Sequence, residues 1–234
     1  MQTDRKKKKT AVILGSGTNL MSQEELQSIK SSENCIVLGG NLTFIAHELD
    51  FFLSSYVFHC ELSLRACPTA EIIKFSTIHD TPSYDNELVK IEYSDLVGIC
   101  PDLVDKKNVC TEFNQLIGMT HFATTLQVDK IVYSGFHQHD YRYFWQADFD
   151  YAKRVEALVD SLITDFEANG RLLTSQDRIV IHNIIEHLSD VRDFTTYDFY
   201  NNSVIKAMFS DLEMLGITFE CFDDNGIIRA VLDE

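Results

Sequence analysis

Short apolar runs, each closed by glycine or a polar turn, dominate this chain. AVILG (11–15), CIVLGG (35–40), KIVYSG (130–135) and ITFECF (217–222) are the clearest. Runs of this length bounded by turn residues predict strands buried on both faces, as in a parallel sheet. SYVFHC (55–60) and RIVIHN (178–183) read as strands on the same grounds, and EIIKF (71–75) and DLVGIC (95–100) do so more weakly. Between them the period changes to that of a helix. SQEELQSIKSS (22–32) carries Ser22 as its N-cap and Glu24 and Glu25 in its first turn. From about Val109 to Gln127, Phe113, Leu116, Ile117, Thr120, Ala123 and Thr124 recur at three- and four-residue steps. Over 150–169 the stripe is Ala152, Val155, Leu158, Val159, Leu162, Ile163 and Phe166, with Gly170 placed to end it. A last helix is predicted around 202–215, and a short apolar end follows as GIIRAVL. Strands alternating with helices predict an α/β fold of the Rossmann-like kind, a mainly parallel sheet with helices on both faces. The irregular stretches 80–109 and 136–150 leave room for a small lid or insertion.

Composition narrows this picture in three ways. At 234 residues the chain can bury one large core, and we assign residues 10–234 to a single domain behind a basic, flexible tail over 1–9. No apolar run approaches the roughly 20 residues that a membrane span needs. The opening MQTDRKKKKT lacks the apolar core of a secretory signal, so a cytoplasmic location is expected. The net charge of −16 is carried by the body, because Arg5 to Lys9 are all basic. Such a body repels nucleic acid and anionic lipid, and the basic run reads as a solvated start. Cys35, Cys60, Cys67, Cys100, Cys110 and Cys221 form no CxxC pair and sit mostly in apolar stretches. They read as reduced, small hydrophobes rather than as zinc ligands or disulfides, and no metal site is assigned.

The candidate chemistry begins where the first strand ends. Gly15-Ser16-Gly17-Thr18-Asn19-Leu20 joins a buried strand to a helix. Glycines let backbone approach a phosphate, and N–H groups at a helix start point toward it. The third glycine of the dinucleotide fingerprint is replaced by Leu20, and no Gly-Lys-Ser/Thr is present. The motif is either a plain turn or a phosphate floor. The second strand ends in Gly39-Gly40-Asn41, which would bring Asn41 to the same crevice as Asn19. An amide donates and accepts, and so suits a base, a ribose or a phosphate, unless each Asn only closes its own turn. The assigned ligand-contacting set is therefore Gly15, Ser16, Gly17, Thr18, Asn19 and Asn41, with Gly135 after the later strand.

That later strand runs into Gly135-Phe136-His137-Gln138-His139-Asp140-Tyr141. Imidazole and carboxylate at a strand's C-terminal end can move protons. His139, His137, Asp140 and Tyr141 are the candidate catalytic residues, in that order of preference, and His121 is a further partner. The alternative is a polar surface loop with incidental histidines.

The strand-GSGTNL-helix-strand-GGN pattern, followed by LQVDKIVYSGF, resembles bacterial sialyltransferases that use CMP-sialic acid. Motility accessory factors and archaeal hydroxymethylpterin pyrophosphokinases are similar in the same places. NNSVIKAMFSDLEMLGITFECFDDNGIIRA resembles the sialyltransferases' final helix, strand and tail, so about half the chain is covered. Gly15, Gly17 and Leu20 match the family's Gly-Asn-Gly-Pro-Ser-Leu turn, and Asn41 matches its nucleotide-contacting Asn. Ser16 replaces another such Asn, Thr18-Asn19 replace Pro-Ser, and Gly135-Phe136-His137 replace Gly-Ile-Asp. The family's catalytic His falls at or near Phe199, so His182, His187, His137 or His139 takes its place, or none does. The resemblance implies a nucleotide-binding catalytic domain. It implies a glycosyltransferase moving a sugar from a nucleotide-sugar donor, the CMP-activated kind included, to a glycan or other hydroxyl acceptor. No separate cofactor is implied. The pterin enzymes' diphosphate transfer, with Mg²⁺ held by carboxylates such as Asp140, is the alternative, and a non-catalytic nucleotide-binding module is a third reading.

Overall fold

The structure, a computed structural model, describes residues 8–54, 56–76, 87–91, 108–110, 115–136, 143–186 and 198–222. The elements run β1 (Lys9–Leu14), α1 (Gln23–Ser32), β2 (Asn34–Gly39), a 3-10 turn (Thr43–Ile45), β3 (Phe51–Ser54), α2 (Val57–Ala66) and β4 (Glu71–Ser76). They continue with β5 (Glu87–Ile91), β6 (Asn108–Cys110), α3 (Gln115–Thr125), β7 (Lys130–Ser134), α4 (Phe144–Ala147), α5 (Phe149–Ala168), α6 (Ser175–Glu186), α7 (Asp198–Met214) and β8 (Thr218–Cys221).

All the strands lie in one sheet in the order β6-β5-β4-β3-β2-β1-β7-β8, and every neighbouring pair is parallel. The chain starts at β1, works outward to β6, and returns to place β7 on the other flank of β1. The order therefore reverses between β1 and β7, and that switch point is where an open parallel sheet offers a crevice at its C-terminal edge.

Side chains alternate along β1, so its four wholly buried apolar residues feed two cores. Ala11 and Ile13 pack with Ile117 and Ala123 of α3 and with Ile205 and Phe209 of α7. Val12 and Leu14 pack with Leu26 of α1, Phe58 of α2, Val159 of α5 and Val180 of α6. The predicted α/β sheet with helices on both faces is the observed fold.

Two predicted strands are helices. Residues 55–60 fall largely in α2, and β3 is the shorter run Phe51–Ser54 just before it. Phe58 and Leu62, four apart, are buried at 1% and 0% exposure, which is a helical spacing. Residues 178–183 belong to α6, where Val180 and Ile184 are buried at 3% and 4% while Ile179 is 59% exposed. A strand would have put residues 179 and 181 together on one face. The strand predicted over 95–100 and the GIIRAVL segment lie outside the described residues. Of the irregular stretch 80–109, the described parts extend the sheet as β5 and the start of β6.

Lys9, the last residue of the predicted tail, opens β1. Its backbone N–H donates to the Asp129 carboxylate at 2.8 Å and its Nζ to the Leu126 carbonyl at 2.5 Å. Among the described residues, no helix is long and apolar enough to cross a membrane.

Candidate functional site

The β1–β7 ladder continues past the ends of both strands. Gly15 N–H donates to the Ser134 carbonyl and Gly17 N–H to the Gly135 carbonyl, both at 2.7 Å. Backbones this close leave no room for side chains. A Cβ on Gly15 would strike the Gly135 carbonyl oxygen and come within 2.8 Å of the Phe136 ring. A Cβ on Gly135 would stand 2.6 Å from the Gly15 carbonyl oxygen, on a backbone whose φ of +82° already favours glycine. Each glycine thus makes room for the other.

Residues 143–145 close over this turn. Gly17 and Tyr143 form an antiparallel bridge, and Phe144 N–H donates to the Ser16 carbonyl at 2.9 Å. Tyr143 stacks on Trp145 with centroids 4.3 Å apart, and Phe144 and Trp145 are both buried. The buried Ser134 hydroxyl ties the turn to β7, accepting from Met21 N–H at 2.8 Å and donating to the Asn19 carbonyl at 3.4 Å. The N–H groups of Gly15, Gly17, Leu20 and Met21 are thereby committed to protein acceptors.

The helix that follows starts as predicted. Ser22 N–H and hydroxyl both donate to Glu25 Oε2, at 2.7 and 2.9 Å, and Glu25 N–H returns to the Ser22 hydroxyl at 3.3 Å. This capping box holds the Glu25 carboxyl below its ordinary range, because Ser22 backbone and side chain both bond the charged form. With Glu24 beside it, the first turn of α1 carries two carboxylates.

Beyond β2 the chain turns at Asn41, whose φ of 52° is left-handed. Its Nδ2 donates to the Ser16 hydroxyl at 3.1 Å. The structure thus brings Ser16 and Asn41 together across the ends of β1 and β2. Asn19 takes no part in that contact. Its amide atoms are buried and have no hydrogen-bond partner among the described residues, and the same is true of Trp145 Nε1. Of the other assigned contacts, Thr18 lies half-buried within the turn.

His137, His139, Asp140 and Tyr141 lie outside the described residues, as does His187, and Phe199 is placed only as a backbone position of α7. His182 is exposed on α6. His121 is buried in α3, where desolvation pushes its imidazole down to about 4. Two histidines lie nearer the strand ends without having been singled out in the sequence. His47 follows the 3-10 turn, and its Nδ1 is 3.2 Å from Gln23 Oε1, beside the start of α1. Burial holds it below its ordinary value. His59 sits in the first turns of α2, edge-on to the Tyr56 ring, and burial pushes it down to about 4. The mistaken strand over 55–60 hid the second of these. Among the described residues, no three His, Cys, Asp or Glu side chains gather closely enough to hold a metal ion.

These features define a Rossmann-like α/β protein whose glycine turn, clasp and Ser16–Asn41 contact meet beside the sheet's switch point. No family model matches the chain, and no curated protein matches its sequence. A crystal structure of a variant of the sialyltransferase CST-II in complex with CMP is similar to it, with a TM-score of 0.47 and 11% identity over 95% of this chain and 84% of that one.

Proposed function

We propose that this protein transfers a sugar from a nucleotide-sugar donor, of the CMP-activated kind, to a hydroxyl of a glycan or other acceptor. One observation carries the reading: the Asn41 amide reaches the Ser16 hydroxyl, so the turns leaving β1 and β2 meet beside the β1–β7 switch point. Ligands of open parallel sheets bind at that place. The sequence resemblance to sialyltransferases rests on the same turn and the same Asn41. In this reading Ser16 and Asn41 hold the sugar–phosphate part of the donor with a hydroxyl and an amide.

The transfer breaks the bond between the anomeric carbon and the phosphate oxygen, and the electron pair leaves with the nucleotide. The acceptor oxygen bonds to the anomeric carbon and gives up its proton to a base. We assign the base to the segment after β7, His139 ahead of His137, with Asp140 and Tyr141 beside it to orient the imidazole. A tyrosine or histidine of the same segment, Tyr141 first, stabilises the departing phosphate.

A thermal-shift series with CMP, CDP, UDP, GDP and ATP, each with and without Mg²⁺, tests the reading, because a ligand of the folded state raises its melting temperature by mass action. CMP is expected to raise it without Mg²⁺. With a confirmed donor, His139→Ala is expected to lower turnover about 10²–10⁴-fold and leave nucleotide binding intact. A shift seen only with a di- or triphosphate and Mg²⁺ replaces sugar transfer by diphosphate transfer. No shift with any nucleotide overturns the proposal.

A further inference from the structure

We infer that Asn19 reads the base of the bound nucleotide, an assignment that rests on the nucleotide-binding reading above. Asn19 Oδ1 and Nδ2 are both out of solvent, and neither has a hydrogen-bond partner among the described residues. Folded proteins rarely keep a buried amide in that state, because its lost hydration is uncompensated. The backbone beneath it is pinned. The Asn19 carbonyl accepts from Ser134 Oγ, Leu20 N–H bonds the Gly17 carbonyl, and Gly17 N–H bonds the Gly135 carbonyl. The amide therefore cannot escape to water by a small shift of the turn. Trp145 adds a buried indole N–H without a partner, and the Gly17–Tyr143 bridge and the Phe144–Ser16 bond hold its segment against the same turn. An amide left unpaired on a turn that Tyr143 and Phe144 clasp is a group that a ligand completes.

The kind of ligand group follows from what is unpaired. A phosphate offers only acceptors. It would satisfy Nδ2 and set anionic oxygen against Oδ1. The first turn of α1 adds to the objection: Ser22 N–H is already bonded to Glu25, and Glu24 and Glu25 place negative charge where a helix start would otherwise favour an anion. A group presenting a donor beside an acceptor satisfies both amide atoms at once. The edge of a nucleobase is such a group, and Asn pairs with base edges in this bidentate way. The site then divides in two, with the sugar–phosphate at Ser16 and Asn41 and the base at Asn19.

Calorimetric titration of the wild-type chain and Asn19→Leu tests this. The probes are the tightest-binding of CMP, UMP, GMP and AMP, and ribose 5-phosphate as its base-free counterpart. Asn19→Leu is expected to weaken the nucleotide about 10- to 100-fold and to leave ribose 5-phosphate unchanged. Its melting temperature without ligand should be equal or higher, since two unpaired polar atoms are gone. Asn19→Ser, which is smaller and polar, should fold as the wild type does and lose affinity for the nucleotide alone. An unchanged nucleotide affinity overturns the assignment and leaves the nucleotide reading standing. Equal losses for both probes place Asn19 at the sugar–phosphate and also overturn it. If both variants lose stability without ligand, the amide is structural and the assignment fails. If the wild type binds none of the nucleotides, both readings fail together.

Discussion

The turn leaving β1 and the turn leaving β2 contain similar residues and solve opposite problems. After β2, the space beside Gly39 is filled by the Thr43 hydroxyl and the Leu49 side chain. That hydroxyl donates to the Gly40 carbonyl at 2.9 Å, and Asn41 spends its amide on Ser16. The space in this turn is filled by the protein's own side chains. After β1, two glycines from different strands consume each other's space, a buried segment closes on top, and the Asn19 amide stays unpaired. Here the packing is as tight as backbone allows while the polar accounting stays open. The difference separates glycines that make room for backbone from a polar group that the packing leaves without a partner among the described residues. A phosphate-floor motif read from sequence merges the two roles.

The comparison breaks most sharply at Gly135. Gly135→Ala adds a Cβ against the Gly15 carbonyl and puts alanine at a left-handed φ. Overpacking at about 1–3 kcal/mol and left-handed strain at about 1–2 kcal/mol give an expected loss of roughly 2–5 kcal/mol in urea denaturation. If Gly135 served only a ligand's approach, stability would hold and affinity alone would fall.

The turn after β3 extends the comparison through His59. Its folded-state value of about 4 lies below the 6.5 of the free imidazole, with burial as the cause. The unfolded chain therefore binds the extra proton first. The neutral buried form is fully favourable above about pH 6.5, and its contribution is lost as pH falls from there to about 4. At about 1.36 kcal/mol per unit the loss is on the order of 3 kcal/mol. The stability of the wild type relative to His59→Leu should fall as the pH falls across this window. A constant difference would show that His59 does not titrate on unfolding. His121, buried on the opposite face with the same direction of shift, adds a parallel loss that His59→Leu leaves in place.

The smallest effect sharpens the β2 side. Asn41→Gly keeps a residue at ease with φ of 52° and removes only the amide, at about 0.5–1 kcal/mol for the bond to Ser16. Asn41→Ala removes the amide and adds left-handed strain, so it should be the less stable of the two by about 1 kcal/mol. Equal stabilities would mean that the turn relaxes when the amide is lost.

The parts of this fold that sequence reveals are those whose signal is local. β1 and β7 are apolar runs buried on both faces, α1 carries its capping box at Ser22 and Glu25, and Gly170 ends α5 at a φ of +67°. α6 also carries a local signal at its start. Thr174 and Asp177 exchange backbone and side-chain bonds at 2.9 and 3.1 Å, a capping pair that outweighs the β-branched Ile179, Val180 and Ile181 behind it. The Gly15–Asn19 turn and the place of Asn41 beyond β2 are legible in the sequence because each follows its own strand. The Gly15–Gly135 contact and the clasp by Tyr143 and Phe144 are not. Both depend on β7 crossing to the far flank of β1, and no residue beside either turn encodes that crossing.

That crossing also fixes when the site comes into being. Lys9 and Asp129, 120 positions apart in the chain, bond across the β1–β7 seam. At the usual pace of synthesis, about 5–20 residues per second, roughly 6–24 s separate the two ends of the seam on the ribosome. Through that interval β1 can pair with β2 but has an open flank, and Gly15 has no counterpart. The cradle thus forms only once the middle of the chain has been made, and a nascent chain cut short before β7 carries the Gly15–Asn19 motif without the β7 side of the cradle.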